Sequence, residues 1–106
     1  MTYNIEITKQ ARNNMKMLFE YIAYTLMEPM AAERQYYRIE KAIFTLNQMP
    51  ERFQRYEKEP WWSRNLRVMP VDNYLVFYTV DIKSKAVIVI RVLYSARNIE
   101  KELDSI

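Results

Sequence analysis

Arginine, tyrosine and tryptophan are the chemically capable side chains of this 106-residue sequence, because it holds neither cysteine nor histidine. Without cysteine there is no disulfide framework and no thiolate metal site. Without histidine, zinc centres of the usual kind and every imidazole-based acid–base scheme fall away. The carboxylates form no clustered acidic loop that would hold magnesium or calcium. The expectation is therefore no metal and no cofactor. What remains is Arg64, Arg67, Arg91 and Arg97, the tyrosines Tyr78 and Tyr94, and the pair Trp61-Trp62. A guanidinium fork offers several donors to phosphate oxygens and never loses its charge. Trp61 and Trp62 could stack on bases, a contact that contributes ~1–3 kcal/mol per base. The favoured reading is that they anchor their loop or pack against a partner's helix.

These residues need elements to position them. Residues 3–7 alternate apolar and polar and predict a short strand. Thr8 is a suitable N-cap for a helix whose apolar stripe is Ala11, Met15, Leu18, Phe19, Ile22 and Leu26, ending before Pro29. A second helix is expected from about 31 to 48, with Ala32, Tyr36, Ile39, Ile43 and Leu46 on one stripe and Pro50 closing it. The short link around Pro29 makes the pair an antiparallel hairpin. Residues 51–63 read as a loop, followed by strands at about 64–70, 74–81 and 86–94 and a last helical turn from Ile99 to Ile106. The sequence has no glycine, so Asp72-Asn73 and Lys83-Ser84 are the expected hairpin turns.

The predicted fold class is α+β, in the order β-α-α-β-β-β. A two-helix antiparallel hairpin packs on one face of a curved antiparallel sheet. Period two splits the second strand into Leu66 and Val68 against Asn65, Arg67 and Met69, and the last strand into Ile88, Ile90, Val92 and Tyr94 against Val87, Val89, Arg91 and Leu93. The expectation is that the Arg67 and Arg91 side is the open, concave face and that the all-apolar side lies under the helices. Strand arginines that are merely solvated are the competing explanation.

Length and composition bound the rest. The chain is the size of one domain, residues 1–106, and half of it is hydrophobic, which is ample for a core. Lysine and arginine number 16 against 13 acidic residues, a net charge of +3. That excess is compatible with an acidic or nucleic-acid partner without demanding one. The first residues lack the basic start and apolar run of a signal peptide, and no apolar run is long enough to span a bilayer. A cytoplasmic protein with no membrane contact is expected.

Three stretches carry a resemblance. Glu59-Pro60-Trp61-Trp62-Ser63-Arg64-Asn65-Leu66-Arg67-Val68 leads to Asn73-Tyr74-Leu75-Val76-Phe77-Tyr78-Thr79-Val80-Asp81 and then to Ile90-Arg91-Val92-Leu93-Tyr94-Ser95-Ala96-Arg97-Asn98. Together with Tyr21-Ile22-Ala23 and Met49-Pro50-Glu51-Arg52, their order and spacing resemble toxins of the RelE/ParE superfamily over nearly the whole chain. The resemblance implies the toxin of a bacterial type II toxin–antitoxin module that inhibits growth and stabilises plasmids. A cognate antitoxin would neutralise it, with operator DNA reached only through that antitoxin. Its target would be DNA gyrase, by ParE-like binding, or alternatively the ribosome, where RelE-like members cut messenger RNA without a metal.

A RelE-type site needs cationic groups to stabilise the developing phosphorane charge and a proton donor for the leaving oxygen. Arg67 stands where the resemblance places the basic strand residue. Leu75 and Ser95 stand where arginines are expected, and Lys101 falls near the expected C-terminal tyrosine. Arg91 and Arg97 would have to substitute, with Tyr78 or Tyr94 as the proton donor, so that a nuclease would use Arg64, Arg67, Arg91 and Arg97. Those departures favour the gyrase-binding reading; a chain that keeps the fold without the activity is a third reading. The antitoxin is expected to lie as a helix or strand over the basic face, meeting Trp61, Trp62, Arg67 and Arg91.

Overall fold

The side-chain pattern of residues 3–7 and the cap at Thr8 set the start of the chain. Strand β1 (Asn4–Ile7) runs through Thr8 into helix α1 (Lys9–Glu20). The Thr8 hydroxyl accepts the Ala11 N–H at 3.1 Å and so satisfies one of the donors that a helix start leaves free. Helix α2 (Pro29–Phe44) follows, with Pro29 in its first turn, where a missing N–H costs nothing. Then come strands β2 (Arg67–Val71), β3 (Tyr74–Asp81) and β4 (Ala86–Tyr94), and a short helix α3 (Ile99–Leu103). The computed structural model describes residues 2–104. The tail expected to be helical is so through Leu103, and Ser105 and Ile106 lie outside the described residues.

The observed order is the expected β-α-α-β-β-β, and β3 and β4 have the expected bounds. β2 begins at Arg67 rather than 64. A tight turn occupies the residues before it: Asn65 takes φ 60° and its N–H reaches the Trp62 carbonyl at 3.1 Å. Both hairpin turns fall as expected. Asp72 adopts φ 56°, a conformation aspartate tolerates, and its carboxylate accepts from Arg38 at 2.7 Å and Gln35 at 3.0 Å on α2. Asp81 Oδ1 accepts the N–H groups of Lys83 and Ser84 at 3.1 and 3.2 Å, which lowers its carboxyl pKa.

The sheet order is β1-β4-β3-β2. β2, β3 and β4 form the expected antiparallel meander, while β1 pairs parallel with β4, Asn4 opposite Ala86 through Ile7 opposite Val89. The sheet is therefore mixed. Short turns dictate the sense of the last three strands, but β1 is separated from β4 by the whole helical hairpin, so no turn constrains it.

The face assignment expected for the sheet needs correction. Met69, Val76, Tyr78, Val87, Val89 and Val92 lie under the helices, against Ala11, Met15, Ile39, Ile43 and Leu46. Leu66 and Val68, expected there, instead join a second core on the opposite face with Trp61, Phe77, Leu93, Ile99 and Leu103. A bulge causes the change on β4: Phe77 pairs with Arg91 but Tyr78 pairs with Val89, leaving Ile90 as the extra residue. Strict alternation cannot survive an inserted residue, so Val89 and Val92 share a face although three positions apart. Both faces are thus apolar in part, the second one covered by α3 and the loop before β2.

At the hairpin's end, α1 continues into a π-helical turn over Tyr21–Thr25. The Leu26 N–H bonds to Tyr21 and the Glu28 N–H to Ile22, while Met27 adopts φ 56°. Methionine thus holds the left-handed position after the helix, where glycine is usual. The wider turn rotates the stripe, so Ala23 is buried and Leu26, expected in the core, is half exposed. Among the described residues no helix is long and apolar enough to cross a membrane.

Candidate functional site

Arg67, expected on an open face, lies on the helix side at the sheet's edge, because its cross-strand partner Tyr78 points there. Its guanidinium donates to the Phe53 carbonyl at 2.6 Å and the Glu51 carbonyl at 3.2 Å, and approaches the Glu51 carboxylate at 3.5 Å. The buried Tyr78 hydroxyl donates to the Pro50 carbonyl at 2.6 Å. Arg52 donates to the carbonyls of Gln48 and Met49 at 2.7 and 3.2 Å and to the Thr45 hydroxyl at 2.9 Å. Two arginines and a tyrosine therefore bind the segment after α2, where Met49 is held at φ 47°. Burial pushes the Tyr78 hydroxyl pKa up to about 12, outweighing the lowering pull of Arg67 and Arg52. A proton held that firmly, already given to a carbonyl, is poorly placed for acid–base work near neutral pH.

Arg91 is also not on an open face; only 4% of it is exposed. Its guanidinium donates to Gln10 Oε1 on α1 at 2.5 Å and to the Ile90 carbonyl at 3.1 Å. Beside it, Asn14 Oδ1 accepts the Val92 N–H at 3.1 Å, next to the bulge. Lys9, Gln10, Asn13, Asn14, Arg91 and Glu102 line a shallow pocket of ≈ 320 Å³ there. Gln10 and Asn14 were invisible to motif reading. Their spacing of four puts them on one side of α1, but nothing in the pattern shows what they meet.

The other expected residues are dispersed. Arg64 is exposed in the turn before β2. Arg97 faces Glu102 of α3 at 3.7 Å, consistent with its closing the end of the sheet. Tyr94 is half exposed, its ring 5.7 Å from that of Tyr74. Trp61 is 5% exposed in the second core, so it anchors the loop and is unavailable to a partner. Trp62 is exposed and lies under the Arg55 guanidinium at 5.1 Å, a cation–π arrangement. Nearby, Lys58 and Glu100 form an ion pair whose hydrogen bond raises the ammonium pKa and lowers the carboxyl pKa. Tyr56, packed edge-on to Trp61 and Phe77, has its pKa raised by burial and by Glu100. Among the described residues no group of carboxylates could hold a metal ion.

This architecture recurs among known toxins. A family model described as the ParE toxin of type II toxin–antitoxin system, parDE, matches residues 5–99. No curated protein matches the chain. A chain of the chromosomal ParDE toxin–antitoxin system from P. aeruginosa superposes with a TM-score of 0.72 at 14% identity, covering 88% of this chain and 96% of that one. A free-state variant of the E. coli toxin RelE with two arginines replaced gives 0.64 at 16% identity, over 99% and 93% of the two chains. The RelBE2 toxin–antitoxin complex from Mycobacterium tuberculosis gives 0.62 at 19%, over 89% and 99%. At such identities the structures speak for the shared fold, while the family match spans almost all the elements described above. The chain belongs to the ParE toxin family of type II toxin–antitoxin systems.

Proposed function

We propose that this toxin is neutralised by a cognate antitoxin and, once released, arrests growth by binding DNA gyrase rather than by cutting RNA. The observation that carries the reading is the engagement of its arginines. Phosphoryl-transfer chemistry without a metal needs several cationic donors converging on one phosphate, free to bond it. Arg67 is tied to backbone carbonyls at one edge of the sheet, while Arg91 is bonded to Gln10 and Arg97 faces Glu102, which lines the pocket beside Arg91, so each guanidinium is engaged by the protein itself. Tyr78 has its proton on a carbonyl. Antitoxin complexes among the structural relatives support the partner. Arg67 and Arg91 are too enclosed for the partner contact expected of them. Trp62, with Arg55 above it, is the best-exposed of the residues assigned that role.

The experiment is induction of this chain with and without the adjoining gene, followed by primer extension on abundant messages and a supercoiling assay with purified gyrase. Arrest with intact messages and loss of supercoiling is expected. New in-frame 5′ ends with normal supercoiling would instead establish the ribosome-dependent nuclease.

A further inference from the structure

We propose that the tip of the helical hairpin is the surface by which this toxin docks on its protein target, and that the target offers an apolar depression rimmed by lysine or arginine. The inference rests on the reading of growth arrest by protein binding. From the π turn after α1 into the first turn of α2, Tyr21, Tyr24, Leu26, Met27 and Met30 are 55, 71, 51, 80 and 70% exposed. Five large apolar side chains grouped at one end of a small protein have no structural use there, and tyrosine and methionine are residue types enriched at protein interfaces.

Charge narrows the occupant. Between Lys16 and Arg34 the chain carries Glu20, Glu28 and Glu33 and no basic residue, although the molecule as a whole is net positive. All three glutamates are exposed, and none forms an ion pair among the described residues. An apolar surface whose own segment carries only carboxylates disfavours nucleic acid and a second copy of itself. It is complementary to a basic-rimmed protein surface.

The test uses the full chain with Tyr24→Ser and Met27→Asn together, since asparagine accepts the left-handed backbone at position 27. A second variant, Glu20→Lys with Glu28→Lys, reverses the rim. Circular dichroism checks that both fold, and each is assayed for gyrase inhibition, growth arrest, antitoxin capture and oligomeric state. Loss of gyrase inhibition by roughly tenfold or more in both variants, with antitoxin capture unchanged, is the expected result. Arrest abolished in the variants although the wild type leaves gyrase untouched would reject gyrase while keeping the tip as the docking surface for another protein. Inhibition and arrest equal to wild type in folded variants would overturn the proposal. So would loss of antitoxin capture, or of self-association, with arrest intact, since the tip would then belong to the antitoxin or to a second copy.

Discussion

Tyr78 is the side chain whose chemistry folding changes most. Its pKa rises from 10.0 to about 12 because burial disfavours the phenolate. The folded protein therefore holds this proton more tightly than the unfolded chain. The contribution is complete below about pH 10 and is lost as pH climbs from about 10 to about 12. Denaturant midpoints measured across that window should fall for the wild type and fall less for Tyr78→Phe. At neutral pH the same substitution orphans the Pro50 carbonyl and should lower stability by about 1–2 kcal/mol, yet leave growth arrest intact. A folded Tyr78→Phe protein that no longer arrests growth would favour a catalytic tyrosine. Arg67 yields a parallel prediction. Arg67→Ala removes charge-assisted bonds to the carbonyls of Glu51 and Phe53 and should destabilise by roughly 1.5–3 kcal/mol, measurable by urea unfolding, with Arg67→Lys recovering only part. Any loss of toxicity in Arg67→Ala must be read beside that loss of fold.

At the scale of elements, five non-glycine residues among those described adopt positive φ: Met27, Met49, Asn65, Asp72 and Lys85. Asn65 and Asp72 are suited to it, while Met49 carries a Cβ that crowds the next carbonyl at a cost of about 1–2 kcal/mol. Met49 is also largely exposed, so little packing opposes its replacement. Met49→Gly should raise the thermal midpoint, through a gain in stability of roughly 0.5–1 kcal/mol once the extra freedom of glycine in the unfolded chain is subtracted. An unchanged or lower midpoint would show that the methionine makes contacts worth the strain. α3 is the second test at this scale. Leu103 is fully buried against Phe77, Leu93 and Trp61 on the sheet face that the helical hairpin leaves open. Leu103→Ala should destabilise by about 2–5 kcal/mol and shift Trp61 fluorescence to the red. A five-residue helix that merely frayed would give neither effect.

At the scale of the whole molecule, two cores on opposite faces of one sheet hold a hairpin whose far end stays uncovered. Antitoxin that binds only the folded toxin should raise its unfolding free energy by about 2.7 kcal/mol at a hundredfold excess over Kd. Thermal melts of the toxin titrated with its purified antitoxin check this. A midpoint independent of antitoxin concentration would rule out binding to the folded state.

The sequence by itself determined the elements and their order. Period two marked β3 and β4 to the residue, the Thr8 cap and the Ala32–Leu46 stripe marked the helices, and the lack of glycine placed the turns at Asp72 and Ser84. These are local features, set by spacing and by which residues tolerate which backbone. The arrangement of motifs from Trp61 to Asn98 also carried the family, since order and spacing survive where identity does not. Only the tertiary structure decided which way the residues faced. The bulge at Ile90 inverted the expected alternation, the π turn swung Leu26 out of the core, and β1 entered the sheet parallel. The bulge and the parallel pairing depend on hydrogen bonds between segments far apart in the chain, which no short-range pattern records, and the π turn on a local widening of the helix that the apolar stripe does not mark. For the same reason Arg67 and Arg91 looked like open cationic groups. Their partners are the carbonyls of residues 51 and 53 and the side chain of Gln10, supplied by other elements that only folding brings within reach.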